Sequence, residues 1–351
     1  MSRSLLALPT LALAFSPAAE PTPWQQRDAV LREARAAHRL LSPRAAASPE
    51  APLDRMGSAR HDTTPLPTEV ITSPLPEEYL PTERLPVAWD WRSVTVAADA
   101  PPTQFTSRVR NQFLPFWCGS CWAHAATAVL GARWRIHTGE EADVSVQYFV
   151  NCVNGTEGDV HHPVRGCGGG SSYEAFAHAH TFGAVDSSCL PYAAVTQNCT
   201  ARNTCQQNLN GYDPHISTVA DPIRYNVVEY GLVGEWGRET PPAEREAAML
   251  KEIYARGPVA SCMACPTEFE EGYTAGVYVT NNTRDACDHL VAIVGFGGEG
   301  SGAYWIVQNS FGSSWGERGF FRIKRASALV QGEYNLGIGT QRVSWAMPAT
   351  A

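Results

Sequence analysis

The spacing of apolar positions predicts a long helix in the middle of the chain, from Cys121 to about Thr138. Its apolar side chains recur at helical intervals and would share one buried face: Trp122, Ala125, Ala126, Val129, Leu130 and Ile136. Ser120 stands where a helix N-cap is expected, and Gly139 stands where the helix would end.

The apolar pattern changes from helical to strand-like towards the C-terminus. Two further helices are predicted at Ser172–Thr181 and Pro242–Arg256, the second of which ends before Gly257–Pro258. Short runs rich in β-branched and aromatic residues follow, and these are typical of strands: Val277–Val279, His289–Gly297, Ala303–Ser310 and Gly319–Arg325. Helices first and strands later predict an α+β fold with two subdomains.

The first 84 residues differ in composition from the rest of the chain. Residues 1–19 are typical of a secretory signal, because Arg3 precedes the apolar run Leu5–Phe15 and small residues follow. The alternative is a buried N-terminal segment. Residues 20–84 contain one predicted helix, Trp24–Leu41, and then a stretch rich in Pro, Ser and Thr. We expect this part to be a short propeptide that buries little apolar surface.

The overall composition favours a secreted globular protein. All ten cysteines lie between Cys118 and Cys287, which indicates a disulfide-bonded body behind a cysteine-free leader. The net charge of -8 offers no basic field for nucleic acid, and no segment reaches the roughly 18 apolar residues of a membrane span. The N-x-[ST] triplets at Asn154, Asn198 and Asn281 agree with a secretory route and glycosylation.

The candidate chemistry lies in the stretch FLPFWCGSCWAHA. Cys121 begins the predicted helix, whose N-terminal dipole lowers the pKa of a thiol, so it is the better nucleophile. Cys118 lies in the preceding loop and is a natural disulfide partner. A thiolate nucleophile needs a histidine, an acceptor that orients it, and a donor for the oxyanion. Two alternatives stay open at this point: a redox C-x-x-C pair, and a four-cysteine zinc site with Cys262 and Cys265.

The segment QFLPFWCGSCWAHA resembles the active-site segment of papain-family cysteine peptidases, which carry C-G-[SA]-C-[WY] together with a distant His and Asn. DHLVAIVGFG resembles the family's histidine strand and contains His289. WIVQNSFGSSWGERGFFRI resembles its asparagine segment and contains Asn309. Gln112 matches the oxyanion glutamine. The resemblance covers about residues 76–340.

The resemblance implies a papain-like α+β fold with an active-site cleft between two subdomains. The peptidase domain would span residues 85–351, with a helical left subdomain at about 110–210 and an antiparallel, barrel-like right subdomain at about 211–345. The implied function is hydrolysis of peptide bonds without a metal or organic cofactor. The alternative from another class is a catalytically silent binding protein, although silent relatives generally lose the Cys, His or Asn that this chain keeps.

The family resemblance also assigns roles. Cys121 would attack the scissile carbonyl, while Gln112 and the Cys121 backbone N–H hold the oxyanion. His289 would protonate the departing amine and then activate water, and Asn309 would orient the imidazole. Further substrate-binding candidates by resemblance are the glycine-rich wall and three aromatic or loop positions: Gly169, Gly170, Pro115, Phe311 and Trp315. Phe311 departs from the family, which usually has tryptophan there.

Within the family, the segment before Cys118 resembles the insert of the cathepsin X (cathepsin Z) group of carboxypeptidases. The residues from Phe113 to Trp117 make the distance from Gln112 to Cys118 longer than is usual. The group's insert carries a histidine that grips the substrate carboxylate and ends in a tyrosine. Here those positions are Phe113, which cannot donate a hydrogen bond, and Trp117, which can. We expect a cleft that favours chain ends with weak carboxylate selection; the alternative is an endopeptidase or a less selective exopeptidase.

The resemblance implies a set of disulfides and partners. It pairs Cys118 with Cys167 and Cys152 with Cys189, and Cys199–Cys205 would close a short loop. Cys287 would pair with Cys262 or Cys265, and Cys121 would stay free. The expected partners are peptide or protein substrates and inhibitors of cystatin type. The expected state is a monomer in a lysosome-like acidic compartment or outside the cell. The leader lacks a cysteine, so latency would have to be steric.

Overall fold

The computed structural model describes residues 20–41, 69–153, 166–208, 216–234, 241–340 and 342–349. The expected signal segment and Asn154 lie outside the described residues. The α-helices are α1 (Pro23–Leu41), α2 (Pro76–Tyr79), α3 (Cys121–Thr138), α4 (Val146–Cys152), α5 (Ser172–Phe182), α6 (Pro242–Arg256) and α7 (Thr267–Glu270). None of these helices is long and apolar enough to cross a membrane.

The strands are mostly short. They are β1 (Trp89–Asp90), β2 (Ala184–Val185), β3 (Gln206–Gln207), β4 (Ser217–Thr218), β5 (Arg224–Tyr225), β6 (Val227–Leu232), β7 (Val259–Met263), β8 (Val277–Tyr278), β9 (His289–Gly297), β10 (Tyr304–Gln308), β11 (Phe320–Lys324) and β12 (Val343–Pro348). The main sheet has the order β6-β12-β7-β9-β10-β11-β8, and β1 pairs with β9. Its pairs are antiparallel except β11–β8, which is parallel. Strand β9 is therefore central and paired on both sides.

Two clusters of buried side chains divide the molecule. One joins the helices α3, α4 and α5 and includes Trp122, Phe149 and Phe176. The other lies between α6 and the sheet and includes Trp305 and Phe321. Helices thus dominate one side and the antiparallel sheet the other, as the change of pattern along the chain predicts.

The prediction for the long helix is confirmed at both ends. Helix α3 spans Cys121–Thr138, and Gly139 adopts the left-handed conformation with a φ of 79°. The expected cap is wrong in one respect. Ser120 occupies the N-cap position, but its hydroxyl makes no cap hydrogen bond. It instead bonds to the Tyr192 hydroxyl at 2.6 Å, because that ring lies beside the helix start. The Ser120 side chain therefore satisfies none of the free backbone N–H groups in the first turn of α3.

The leader helix buries more than its composition predicts. Helix α1 confirms the predicted Trp24–Leu41 helix, but the expectation of little buried surface is wrong for it. Leu31 is buried, and Trp24 stacks on Phe105 with ring centroids 5.0 Å apart. The buried guanidinium of Arg27 donates to the carbonyl oxygens of Tyr254 and Ala255, at 2.8 and 2.6 Å. These contacts satisfy carbonyls at the end of α6 that the helix itself leaves without partners.

The end of the leader also packs onto the body. Val70 forms a β-bridge with Tyr230 of the edge strand β6. Ser73 donates a hydrogen bond to the Glu229 carboxylate at 2.9 Å, and Leu80 is buried. The first described leader segment thus contacts the end of α6, and the second contacts β6 and, through α2, also α6. Steric latency of the leader stays a prediction.

The described residues contain four disulfides: Cys118–Cys167, Cys152–Cys199, Cys189–Cys205 and Cys262–Cys287. The first agrees with the expected pairing, and the last selects one of the two alternatives for Cys287. Cys121 and Cys265 are free.

The other two expected pairs, Cys152–Cys189 and Cys199–Cys205, are wrong. The physical reason is a set of hydrogen bonds from Asn151, at the end of α4, to the segment that contains Cys199. Asn151 accepts from the Gln197 N–H at 3.1 Å and donates to the Asn203 carbonyl at 3.0 Å, which brings Cys199 to Cys152. The Gln206 N–H donates to the Cys189 carbonyl, and this bond brings Cys205 to Cys189.

Candidate active site

Cys121 is the first residue of α3 and is buried. Burial raises the pKa of its thiol, whereas backbone N–H groups of Leu290 and Trp122 point towards the sulfur and act to lower this pKa. The Leu290 contact places the sulfur at the start of β9, beside His289. The helix start and the strand start therefore meet at one point.

His289 begins β9, and Asn309 directly follows β10. Because these two strands are antiparallel neighbours, the start of one lies near the end of the other. The His289 Nε2 donates to the Asn309 Oδ1 at 2.8 Å, and the Ser310 N–H donates to the same oxygen at 2.8 Å. Burial lowers the pKa of His289, and the hydrogen bond with Asn309 raises it.

Gln112 is buried, and both ends of its side-chain amide are oriented. Its Oε1 accepts from the Ser310 hydroxyl at 2.7 Å, and its Nε2 donates to the Cys118 carbonyl at 3.1 Å. An amide nitrogen carries two hydrogens, so one remains for a further acceptor. The arrangement suits a donor to a developing oxyanion.

The glycine-rich segment is fastened next to the nucleophile. Cys167 bonds covalently to Cys118, and the Gly119 N–H donates to the Cys167 carbonyl at 2.9 Å. Gly170 lies flat on the indole of Trp122, where a Cβ would come within 2.2 Å of the ring. Only glycine fits at that distance. Gly169 in the same segment has a φ of 126°, a backbone conformation that residues with a Cβ rarely adopt.

The insert is connected to His289 through a stack of aromatic rings. Phe113 stacks on Phe311 with ring centroids 5.2 Å apart, and Phe311 stacks on His289 at 5.0 Å. Trp315 meets Phe311 edge-on at 5.3 Å, and its indole N–H donates to the Glu270 carbonyl. Trp117 is 73% exposed. The first residue of the insert therefore packs against the site, and its last residue faces solvent.

The two alternatives for the C-x-x-C pair conflict with the disulfides. Cys118 bonds to Cys167 and leaves Cys121 as a free thiol, so the two cysteines do not form a redox pair with each other. Cys262 bonds to Cys287, which removes a second sulfur from the four that a zinc site would need. Among the described residues no group of His, Cys, Asp and Glu could hold a metal ion.

Comparison with known proteins agrees with this constellation. The family model described as "Papain family cysteine protease" matches residues 85–344. The chain belongs to the papain family. It is accordingly a cysteine peptidase with peptide or protein substrates, and the α+β architecture above is the papain-like fold.

Individual papain-family relatives cover most of the chain. Cathepsin Z of Onchocerca volvulus is 33% identical over 270 residues, which are 75% of this chain and 78% of that protein. Cathepsin B of Dictyostelium discoideum is 29% identical over 246 residues, 66% of this chain and 69% of that protein. The solved structure of a Carica candamarcensis cysteine protease in complex with E-64 aligns with a TM-score of 0.53 and 25% identity, over 75% of this chain and 99% of that one.

Three residues at the site carried no functional assignment from the sequence. The Ser310 hydroxyl holds Gln112, and the Tyr192 hydroxyl donates to the Gln112 carbonyl at 2.8 Å. His124 is buried one turn after Cys121. Ser310 could have been singled out from the sequence because it directly follows Asn309. No local pattern in the sequence connects Tyr192 to the site.

Proposed function

We propose that this peptidase is an exopeptidase that removes residues from the C-terminal end of peptides, with weak selection for the terminal carboxylate. The observation that carries the proposal is the stack of Phe113 on Phe311 beside His289. It sets the insert against the imidazole, on the side where the family binds the residue after the scissile bond. The similarity to cathepsin Z supports the same proposal.

The insert is apolar, whereas a loop that binds the terminal carboxylate of a substrate would carry a charged or hydrogen-bonding side chain. Leu114, Phe116 and Trp117 are 61%, 62% and 73% exposed. Of the insert's side chains only the Trp117 indole carries a donor. Such a loop limits the cleft by its bulk and favours apolar residues at the end of the substrate. Loss of a charge-assisted hydrogen bond weakens carboxylate recognition by about 1.5–3 kcal/mol.

The proposed reaction begins with transfer of the Cys121 proton to His289. Burial disfavours either charge alone, so thiolate and imidazolium form together and stabilise each other. The thiolate attacks the scissile carbonyl, and Gln112 and the Cys121 N–H donate to the oxyanion. His289 protonates the leaving amine, and then takes a proton from the water that hydrolyses the thioester.

We further propose a secretory or lysosome-like location, inhibition by proteins of cystatin type, and a monomeric state. The four disulfides among the described residues support an oxidising route. The other two suggestions rest on the family alone. Gel filtration of the purified enzyme and titration with a cystatin test them directly.

The decisive experiment compares one peptide with a free C-terminus and the same peptide as its C-terminal amide. We expect release of single C-terminal residues, with kcat/KM higher for the free acid by less than about tenfold. Equal cleavage rates for the free acid and the amide, or cleavage at internal bonds, would contradict the carboxypeptidase assignment and favour an endopeptidase.

Two variants sharpen the comparison. Phe113→His introduces a donor at the first insert position and should raise the preference for the free acid by about tenfold or more. Trp117→Phe removes the indole N–H and should abolish the residual preference. Labelling of Cys121 by a papain-type epoxide tests the peptidase chemistry separately. Absence of an adduct on the wild type, together with no turnover, would favour a silent binding protein.

A further inference from the structure

Three side chains that each have one buried polar atom without a partner line the same small cavity behind the active site. Six buried side-chain nitrogen or oxygen atoms in the described part of the chain have no hydrogen-bond partner. Three of the six belong to residues that line this cavity: His124 Nε2, Gln308 Oε1 and Asn309 Nδ2. The cavity has a volume of about 20 Å³, and one water molecule needs about 10–15 Å³.

The donor and acceptor role of each atom follows from its neighbours. The His124 Nδ1 lies 3.0 Å from the Ser120 carbonyl, which can only accept, so Nδ1 carries the proton. Burial lowers the pKa of His124 to about 3, and the ring is neutral. Its Nε2 is therefore an acceptor.

The two amides are oriented in the same way. Gln308 donates through Nε2 to the carbonyls of Ser107 and Arg108, so its Oε1 is the remaining acceptor. Asn309 accepts through Oδ1 from His289 and Ser310, so its Nδ2 is the remaining donor. The cavity thus presents two acceptors and one donor.

We propose that the cavity holds one water molecule that donates to His124 Nε2 and Gln308 Oε1 and accepts from Asn309 Nδ2. This set matches the two hydrogens and one of the lone pairs of water. The proposal adds a positioning water to the catalytic mechanism proposed above, and it rests on that mechanism. His124 becomes a positioning residue: it acts through the water on Asn309, and Asn309 acts on His289.

The energetic reason is the cost of a buried polar atom without a partner. Each such atom loses its hydration and gains nothing in return, whereas a water with three partners restores all of them. The water also opposes rotation of the Asn309 amide, which would otherwise exchange Oδ1 for Nδ2 opposite His289. The charged residues that line the cavity are Arg108 and Arg110, whose guanidiniums both pair with the Asp143 carboxylate, and Arg110 adds to the lowering of the His124 pKa.

A crystal structure of the wild-type protein at a resolution that shows ordered waters tests the site directly. We expect one density peak within about 3.2 Å of all three atoms. An empty cavity, or a water that does not reach Asn309, would overturn the proposal. Either result leaves the peptidase activity untouched, since peptide turnover is measured independently on the same preparation.

A double-mutant cycle tests the positioning role. His124→Phe removes the acceptor at similar volume, and we expect kcat to fall about fivefold with little change in KM. His124→Gln keeps an acceptor of similar reach and should recover most of the rate. In an Asn309→Ala background, His124→Phe should not lower kcat any further, because the Asn309 amide that the water would position is absent. An equal loss in both backgrounds, or no rescue by glutamine, would show a purely structural role and overturn the proposal.

Discussion

Phe311 lies face to face with the imidazole of His289, with ring centroids 5.0 Å apart and an interplanar angle of 28°. The ring covers one face of the imidazole, and we expect it to keep water away from the hydrogen bond with Asn309. The same ring stacks with Phe113. One aromatic side chain therefore contacts both the His289 imidazole and the insert.

Replacement of Phe311 should separate these two effects. Phe311→Ala exposes the His289–Asn309 hydrogen bond to water and removes the support of Phe113. We expect kcat/KM to fall about tenfold. Phe311→Trp keeps an aromatic cover and is the matched control, with a change of less than about threefold. A rate for the alanine variant equal to that of the control would contradict the shielding role.

The pH profile should report the hydrogen bond of Asn309. Since this bond raises the pKa of His289, its loss lowers the pKa at which the imidazolium gives up its proton. The alkaline limb of the kcat/KM profile should therefore move to lower pH in Asn309→Ala, with a reduced maximum. Asn309→Asp supplies a charged acceptor and should move the limb upwards. A limb that stays in place in both variants would mean that Asn309 does not act on the imidazolium.

A buried charge network should control stability at acid pH. Glu252 lies between Arg133 and Arg256, with contacts of 2.8 and 2.7 Å. Burial alone would raise the pKa of Glu252, but the two guanidiniums outweigh it and lower the pKa below 4.5. The stabilisation is therefore complete above pH 4.5 and is lost as the pH falls through the depressed folded value.

Glu252→Gln removes the counter-charge of the buried Arg133 guanidinium and leaves Arg256 only the Glu229 carboxylate, 3.7 Å away. We expect a loss of about 3–5 kcal/mol in the free energy of unfolding at neutral pH, and a flatter dependence on pH below it. Glu141 pairs with Arg135 at the surface with 80% of its side chain exposed, so Glu141→Gln should change little. Urea unfolding at several pH values measures both. Equal effects of the two variants would contradict the network's role.

The disulfide pattern is open to chemical mapping. Peptide mapping of the non-reduced protein should recover Cys152–Cys199, Cys189–Cys205 and Cys262–Cys287. Alkylation of the native protein should modify Cys121 first. Cys265 should react slowly, because burial raises the pKa of its thiol to about 12. Recovery of a Cys152–Cys189 peptide would restore the family pairing expected from the sequence.

The docked leader helix should stabilise the whole chain. Arg27→Ala leaves the Tyr254 and Ala255 carbonyls without their buried donor, and we expect a loss of about 2–3 kcal/mol in the free energy of unfolding. Arg32 is on the exposed side of the same helix, and Arg32→Ala should stay within about 0.5 kcal/mol of the wild type. Thermal unfolding of both variants measures the two losses of stability. If Arg27→Ala behaves like Arg32→Ala, the docking does not contribute.

Elements with strong local signals could be predicted from the sequence. Helix α3 has an apolar face and a glycine stop, and helix α6 has a proline start, so their bounds followed from local chemistry. Strand β9 was found because its apolar run is long. In contrast, α4 was missed because VQYFVNC is short and rich in β-formers. Its one local signal, the Ser145 hydroxyl that accepts from the Tyr148 N–H, is weak by itself.

Long-range pairing was the part that the sequence could not supply. Strand β12 lies between β6 and β7, which precede it by tens of residues, and nothing local selects these neighbours. The same limit explains the disulfide errors, because Asn151 brings Cys199 to α4 through bonds that depend on the fold. Cys121, His289 and Asn309 could be singled out because each lies in a segment with a recognisable motif. The cavity behind them could not be predicted, because residues of helix α3 and of the end of β10, which are distant in the sequence, line it together.

Strand β9 pairs with β7 and β10 and also with β1, and His289 is its first residue. Amide hydrogens of such a strand exchange with solvent only through the rarest openings of a protein. The insert, with exposed side chains from Leu114 to Trp117, belongs to the opposite end of that scale. His289 and the insert therefore lie in regions of very different local stability. We expect that mutations in the insert can change the surface of the cleft while the free energy that keeps strand β9 closed stays almost unchanged.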